Sequence, residues 1–217
     1  MGNRTSLTLM IQHRVHDEDG VLARMPGALD DALSQALQEY SRRLPYVKTA
    51  VLTGDGSTIL FAVPTDWQLG WSHIVTVEYP AGADEPTYLS TASWSLYQNT
   101  DNTLKIRLLT APASGETARV RYTTVHSVGE TSASTSVPSI HDAALATLAA
   151  SYACQMLAVH FAAQSDSSFV ADTTDHSGRS QRYADRAKDL MDRFNIMLPD
   201  PQTKEGARRQ YVRVVRV

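Results

Sequence analysis

The stretch from Ala143 to Ala163, AALATLAASYACQMLAVHFAA, restricts the fold more than any other part of the chain. It is rich in alanine, carries no Asp, Glu, Lys or Arg, and reads as one long helix from about Ser139 to Gln164. A helix that is apolar most of the way round cannot face water on a broad side. It must be buried in its own domain or packed against a neighbouring subunit. Small and unbranched residues such as Ala149, Ala153, Met156 and Ala163 allow close helix approach on several sides, and self-association is the expected explanation.

Charge is unevenly spread around this helix. From Tyr122 to Gly178, a run of 57 residues, there is no Lys or Arg, whereas Glu130, Asp142, Asp166, Asp172 and Asp175 supply acid. The segment from Pro201 to Val217 reverses the balance, with Lys204, Arg208, Arg209, Arg213 and Arg216 against Glu205 alone. The net charge of −3 conceals this asymmetry and argues against a surface that grips nucleic acid all over. A wall without cations would let a polyanion slide past, because it offers nothing to displace phosphate counterions. A buried helix with solvated flanking loops explains the same stretch without function.

Upstream and downstream elements also read as helices. Gly27 to Tyr40 places Leu29, Leu33, Ala36, Leu37 and Tyr40 on one face, with Pro26 suited to the first turn and Leu44-Pro45 as a stop. Thr5 to Val15 is a shorter helix candidate. A last helix runs from about Gly178 to Met197, with Ser177 as N-cap and Tyr183, Ala187, Leu190, Met191 and Phe194 as its apolar stripe.

Between these helical parts the pattern is that of short strands. Candidates are Tyr46–Leu52, Thr58–Val63, Ile74–Tyr79, Thr87–Leu96, Thr103–Leu108 and Ala118–Thr124, separated by turn-forming clusters. Thr53-Gly54-Asp55-Gly56 predicts a hairpin joining the first two. Six short strands at near-regular spacing predict a small sandwich or barrel. Ser127 to Ser139, rich in Ser and Thr, reads as a linker.

The expected fold is therefore α+β. Residues 1–45 and 138–198 form a helical bundle, 46–126 an inserted small antiparallel β lobe, 127–137 a Ser/Thr-rich linker and 199–217 an extended basic C-terminal arm. The arm's final residues, Gln210 to Val217, are β-branched and basic and favour extension, although Arg209, Arg213 and Arg216 would also share one helical face. The segment reads either as a frayed terminus or as a docking arm that adds a strand, or inserts, into a partner with an acidic surface.

A chain of 217 residues with 42% apolar and 20% charged side chains has the composition of a globular protein. Cys154 is the sole cysteine, which excludes an intrachain disulfide or a cysteine-based zinc site. No run is read as a bilayer span or a signal peptide, so the expected product is soluble and intracellular at synthesis. Met1-Gly2-Asn3-Arg4-Thr5-Ser6 fits an acylation pattern that chance matches often.

Motifs for chemistry are lacking. Gly54-Asp-Gly56 has no following Lys-Ser/Thr, and no G-x-S-x-G or H-E-x-x-H occurs. His13 and His16, with Asp17 and Asp19, are the best metal candidates, but no further ligand clusters with them. No catalytic, cofactor-binding or metal residue is assigned, and the chain reads as a non-enzyme. Trp67, Trp71, Trp94, Tyr79, Tyr88 and Tyr97 all lie in the strand block. Exposed, they would make a carbohydrate- or receptor-binding module; inward, they would be the lobe's core.

The layout resembles the head–tail connector, or adaptor, proteins of tailed bacteriophages. The residues that carry the resemblance are Ala32-Leu-Ser-Gln-Ala-Leu-Gln-Glu-Tyr-Ser-Arg-Arg-Leu-Pro45, Leu60-Phe-Ala-Val-Pro-Thr-Asp-Trp67, Val77-Glu-Tyr-Pro-Ala-Gly82 and Ala143 to Ala163. It covers most of the chain in layout and rests on no diagnostic motif. It implies a virion neck protein, present in the host cytoplasm during assembly. There a ring of roughly twelve copies continues the DNA channel below the portal, without sequence-specific DNA binding and without a membrane. The arm would dock on the portal protein through Arg208, Arg209, Tyr211, Arg213 and Arg216, and the lower surface would receive the next neck or tail protein. Asp142, Ala149, Ala153 and Met156 are the expected ring-interface or channel residues. The β lobe is larger than in the most compact adaptors, so its role is open.

Overall fold

A computed structural model describes residues 2–17, 20–99, 101–164, 176–199 and 215–216. The chain is α+β and divides into two compact units. One comprises Met1–Leu44 with His126–Ala207, the other Pro45–Val125 with Arg208–Val217.

The first unit is organised by helix α3, Asp142–Gln164. Seven consecutive residues, Ala144 to Ala150, are buried, which is possible only when cover comes from more than one direction. That cover is α1 (Arg4–Val15), α2 (Ala28–Arg43) and α4 (His176–Met197), all of which pack on α3. By length and composition, Ser139–Ala163 could cross a membrane, contrary to the expectation from the sequence; here most of it is buried inside the protein. Ala149 and Ala153 are completely buried in this core, so their small size serves packing within one chain rather than contact between chains.

Each covering helix is read off its own residues. In α1, Leu7, Ile11 and Val15 recur every four residues and are fully buried, about 1.5–3 kcal/mol each. Its start is a reciprocal cap: Ser6 N–H donates to Asn3 Oδ1 at 2.8 Å and Asn3 N–H to Ser6 Oγ at 3.0 Å. In α2, Ala28, Ala32, Leu33, Ala36 and Tyr40 face inward, and Asp30, Asp31, Arg42 and Arg43 suit the helix dipole at its two ends. Helix α4 runs antiparallel to α3, since Ser151 Oγ donates to Ala187 O (2.7 Å) and Ser180 Oγ to Ala158 O (2.8 Å). It begins at His176, so Ser177 lies inside the helix and is not its N-cap.

Arg43 ties the ends of α2 and α4 together. Its buried guanidinium donates to Leu198 O at 2.6 Å, Asn195 Oδ1 at 2.8 Å and Glu39 Oε1 at 2.9 Å, and lies 4.4 Å from the centre of the Phe194 ring. The Leu198 carbonyl lies just past the end of α4, where acceptors lack intrahelical donors, and the guanidinium fork supplies one.

The Ser/Thr-rich segment is not a free linker. Ser136 N–H donates to Ser127 O (2.9 Å), Ser127 N–H to Ser136 Oγ (2.8 Å), and Gly129 O accepts the Arg4 N–H (3.0 Å). Thr135 and Val137 are buried, and Val137 belongs to the helical core. Its polar side chains satisfy its own backbone, which mimics the composition of a disordered segment.

The second unit holds two small sheets around one apolar core. β1 (Tyr46–Thr53), β6 (Thr117–Thr124) and β3 (Ile74–Glu78) form an antiparallel sheet in the order β1-β6-β3. β2 (Leu60–Ala62), β5 (Leu104–Leu108) and β4 (Trp94–Gln98) form the other, in the order β2-β5-β4. β7 (Val215–Arg216) lies parallel to β4, Tyr97 opposite Val215 and Gln98 opposite Arg216. Leu52, Val77, Val120, Trp94, Ile106 and Leu108 come from both sheets and share the core.

Two local expectations are corrected. β1 and β2 do not pair as a hairpin: β1 pairs with β6 and β2 with β5. The Gly54-Asp-Gly56 turn instead docks on the 112–116 turn, Gly54 N–H to Glu116 O at 2.8 Å and Gly56 N–H to Pro112 O at 3.0 Å. A Cβ on Gly54 would sit 2.5 Å from the carbonyl oxygens of Pro112 and Ala113, so this position needs glycine for close backbone approach. The single strand expected over Thr87–Leu96 is split between sheets. Residues 87–89 pair beside β3, and the chain then turns at Ser90–Ser93 to enter β4 in the other sheet.

If Ala153 is held in place by close packing within the chain, Ala153→Leu should destabilise it by about 1–3 kcal/mol through overpacking. Denaturant unfolding at dilute, monomer-favouring concentration measures this. An unchanged midpoint would mean that Ala153 faces open space.

Candidate functional site

The residues expected to form a ring interface or channel are not a surface. Ala149 and Ala153 are core, and Met156 is partly buried against the same core. Asp142 is 8% exposed, and its Oδ2 accepts the Gly2 N–H at 2.8 Å. Its other carboxylate oxygen is buried without a hydrogen-bond partner among the described residues. A Cβ on Gly2 would lie 2.7 Å from Asp142 Oδ2, so a larger residue there would make the Asp142 side chain shift. Of the expected docking residues, Arg208, Arg209, Tyr211 and Arg213 lie outside the described residues. The backbone of Arg216 is placed in β7.

The outward side of α3 and α4 presents a different surface. Between them runs an open groove of about 470 Å3, with Ala158, Ala184 and Ala187 lining it and Val159 and Met191 as apolar walls. Gln155, Lys188 and Asp192 also line it. Val159 is 70% exposed, and Ile196 near the end of α4 is 80% exposed. Small residues on both helices create the depression, because short side chains at facing positions leave room above the backbone. On the α4 side the groove combines Ala187 and Met191 of the expected apolar stripe with Ala184 and Lys188 beside it.

A second constellation lies inside the helical unit. Tyr40 OH and His141 Nδ1 are 2.6 Å apart, and the Tyr40 ring meets His126 edge-on at 5.0 Å. His126 N–H donates to Ser41 Oγ (2.9 Å), and its Nδ1 lies 3.0 Å from Ser136 Oγ. Burial, reinforced by the Asp142 charge, pushes the Tyr40 phenol up to about 12. Burial also depresses His126 below its ordinary value, against the hydrogen bonds to the backbone of Leu44 and Ser136. His126 is thus a core residue with partners. Cys154 is fully buried, its thiol pushed up to about 11 by burial and so a poor nucleophile.

His13 and His16 do not converge. Both are exposed, and His16 ends α1 in a left-handed conformation, off the helical face of His13. Asp17 accepts the Leu22 N–H at 2.6 Å, and Asp19 lies outside the described residues. Among the described residues no group of three or more His, Cys, Asp or Glu side chains is arranged to hold a metal ion.

Most of the aromatic block is committed to packing. Trp94 is buried, and Trp67, half-buried, stacks on Tyr122 at 5.9 Å. Tyr122 OH donates to Asp66 Oδ1 and Lys48 Nζ to Asp66 Oδ2, both at 2.5 Å. Those donors, Lys48 foremost, hold the Asp66 carboxyl below the usual carboxylate range, and burial followed by the Asp66 contact raises the Tyr122 phenol. Trp71, Tyr79 and Tyr97 are half-buried, and Tyr88 is the exposed member.

No protein-family model matches the chain, and no curated protein matches it.

The depressed His126 value sets a sign for acid stability. The unfolded side chain takes up a proton near pH 6.5 and the folded one only at lower pH, so the unfolded state binds more protons in between. Its contribution is complete above about pH 6.5 and declines as the pH falls below that value. Melting temperatures at pH 7.5 and 5.0 should therefore fall less for His126→Gln than for the native chain, with the variant starting lower at pH 7.5. Equal slopes would remove His126 from the acid response.

Proposed function

We propose that this chain is a structural virion protein, a head–tail adaptor whose copies form a ring below the portal. The observation that carries the reading is the outward α3–α4 groove, lined by Ala158, Ala184, Ala187 and Met191 and by the exposed Val159. A long antiparallel helix pair presenting such a groove is suited to receive another protein surface. In a ring, the groove of one subunit would meet a different face of the next, because a closed ring uses a heterologous interface. The helical unit is then a bundle serving as the ring's wall. The inserted β unit is free to meet the next neck or tail component, and DNA passes through without base readout. The basic segment from Pro201 to Val217 supplies cations for docking on the portal.

The groove thus takes over the interface role that the sequence assigned to Ala149 and Ala153. Its apolar walls offer desolvation energy at the contact, and Lys188 and Asp192 offer orientation.

The test is the mass of the purified chain in solution, alone and with a portal ring from a tailed phage. A multi-subunit ring, formed alone or on the portal, is the expected result. A monomer indifferent to the portal overturns the reading. Val159→Asp buries a charge in the proposed contact, so it should lower ring formation at least ten-fold while leaving the melting temperature within a few degrees of the native value.

A further inference from the structure

The two covered sheet edges of the β unit are covered in unlike ways. Residues 87–89 pair along β3, with Tyr79 N–H to Thr87 O at 2.9 Å and Leu89 N–H to Val77 O at 2.8 Å. That cover comes from the next stretch of chain, so it is local and intrinsic to the unit. The cover on β4 comes from Val215–Arg216, beyond both α3 and α4 in the sequence.

We propose that the β4 edge is an acceptor for the Val215–Arg216 strand of a second copy, so that neighbouring subunits are joined by strand exchange. The inference rests on the ring reading and names the contact that would tie one subunit to the next.

The pairing itself is exchangeable. It is two residues long and parallel, the less stable mode per residue, and it is made by main-chain groups that every copy offers identically. Residues 200–214 separate the described end of the helical unit from β7, and fifteen residues reach about 50 Å when extended. A β unit of this size is about 25–30 Å across, so the reach extends beyond one's own edge. Closing that connection on the same chain carries an entropic penalty that grows with its length. In an assembly the neighbour's edge is present at millimolar effective concentration, which makes exchange competitive.

The geometry also suits a ring. Donor strand and acceptor edge are different surfaces, so each copy gives one and receives one, and the chain of contacts can close on itself. Val212, Val214, Val215 and Val217 favour the extended state required of a donor.

Two single variants of the full chain test this, Tyr97→Cys and Val215→Cys, which are opposite each other in the register. Mixed one to one and oxidised at the concentration of assembly, they can form a disulfide between positions 97 and 215 only across two chains. The expected result is a two-chain product at least ten-fold above that from either variant alone, and Cys154, being buried, stays silent. Gln98→Cys with Arg216→Cys repeats the test should Tyr97→Cys perturb the half-buried position. The double variant Tyr97→Cys/Val215→Cys reports the alternative, since same-chain pairing gives a one-chain product. A ring by mass without the mixed disulfide overturns strand exchange and leaves the ring reading standing. A monomeric mass with only the one-chain product overturns both.

Discussion

The helical unit depends on one constraint: α3 is apolar on nearly every side and has to be covered on nearly every side. No single helix can do this, because a helix–helix contact covers only one stripe. Three partners converge on it, and each brings side chains whose size suits the alanines of α3. Leu7, Ile11 and Val15 of α1, Tyr40 of α2 and Phe194 of α4 share one core with the alanines and with Leu145, Leu148, Leu157 and Phe161 of α3.

The polar contacts then stop the helices from sliding along this smooth surface. Ser151 and Ser180 each reach a carbonyl of the facing helix, which sets the relative height of α3 and α4. Arg43 does the same for α2 and α4, and its loss would leave the Leu198 carbonyl and Asn195 without their donor. His126 anchors the chain where it re-enters the helical unit, through its backbone N–H on Ser41 and its ring beside Ser136 and Tyr40. The interior is therefore apolar in bulk and polar at its seams, and the polar seams are where pH can act.

In the β unit, the governing feature is that the order of strands in space is not their order in the chain. β1 pairs with a strand more than sixty residues away, so the turn after it is free to bind another turn. Gly54 serves that purpose, with two carbonyl oxygens where a side chain would begin. Asp55 beside it accepts bonds from Ser57 and Thr58, which hold its carboxyl well below the ordinary range and shape the loop into β2. The buried Glu78 is paired with Arg119 across the sheet at 3.1 Å and accepts the Gly82 N–H at 3.0 Å, closing the turn that follows β3.

Period and turn chemistry were legible in the chain itself. The apolar repeat in α2 and α4, the uncharged run of α3 and the alternation of most strands are local properties that mark an element within a few residues of its observed bounds, the stretch Thr87–Leu96 being the exception. Partnership was not legible. Whether Ala149 and Ala153 met α1 and α4 or a second chain depended on what else lay within a few ångströms, and alanine packs equally well in either place. Likewise Thr53 to Gly56 has hairpin composition, but the two strands beside it found better partners elsewhere. The partners of His126, Tyr40, Ser41 and Ser136, are distant in sequence or ordinary in type, so no local pattern points to them. The α3–α4 groove escaped notice for the same reason, since it is a property of two helices and neither has it alone. Sequence by itself determined the kind of each element, because backbone geometry repeats at a fixed period. Only the tertiary structure decided which faces were consumed and which were left open, because burial is shared between segments that the chain keeps apart.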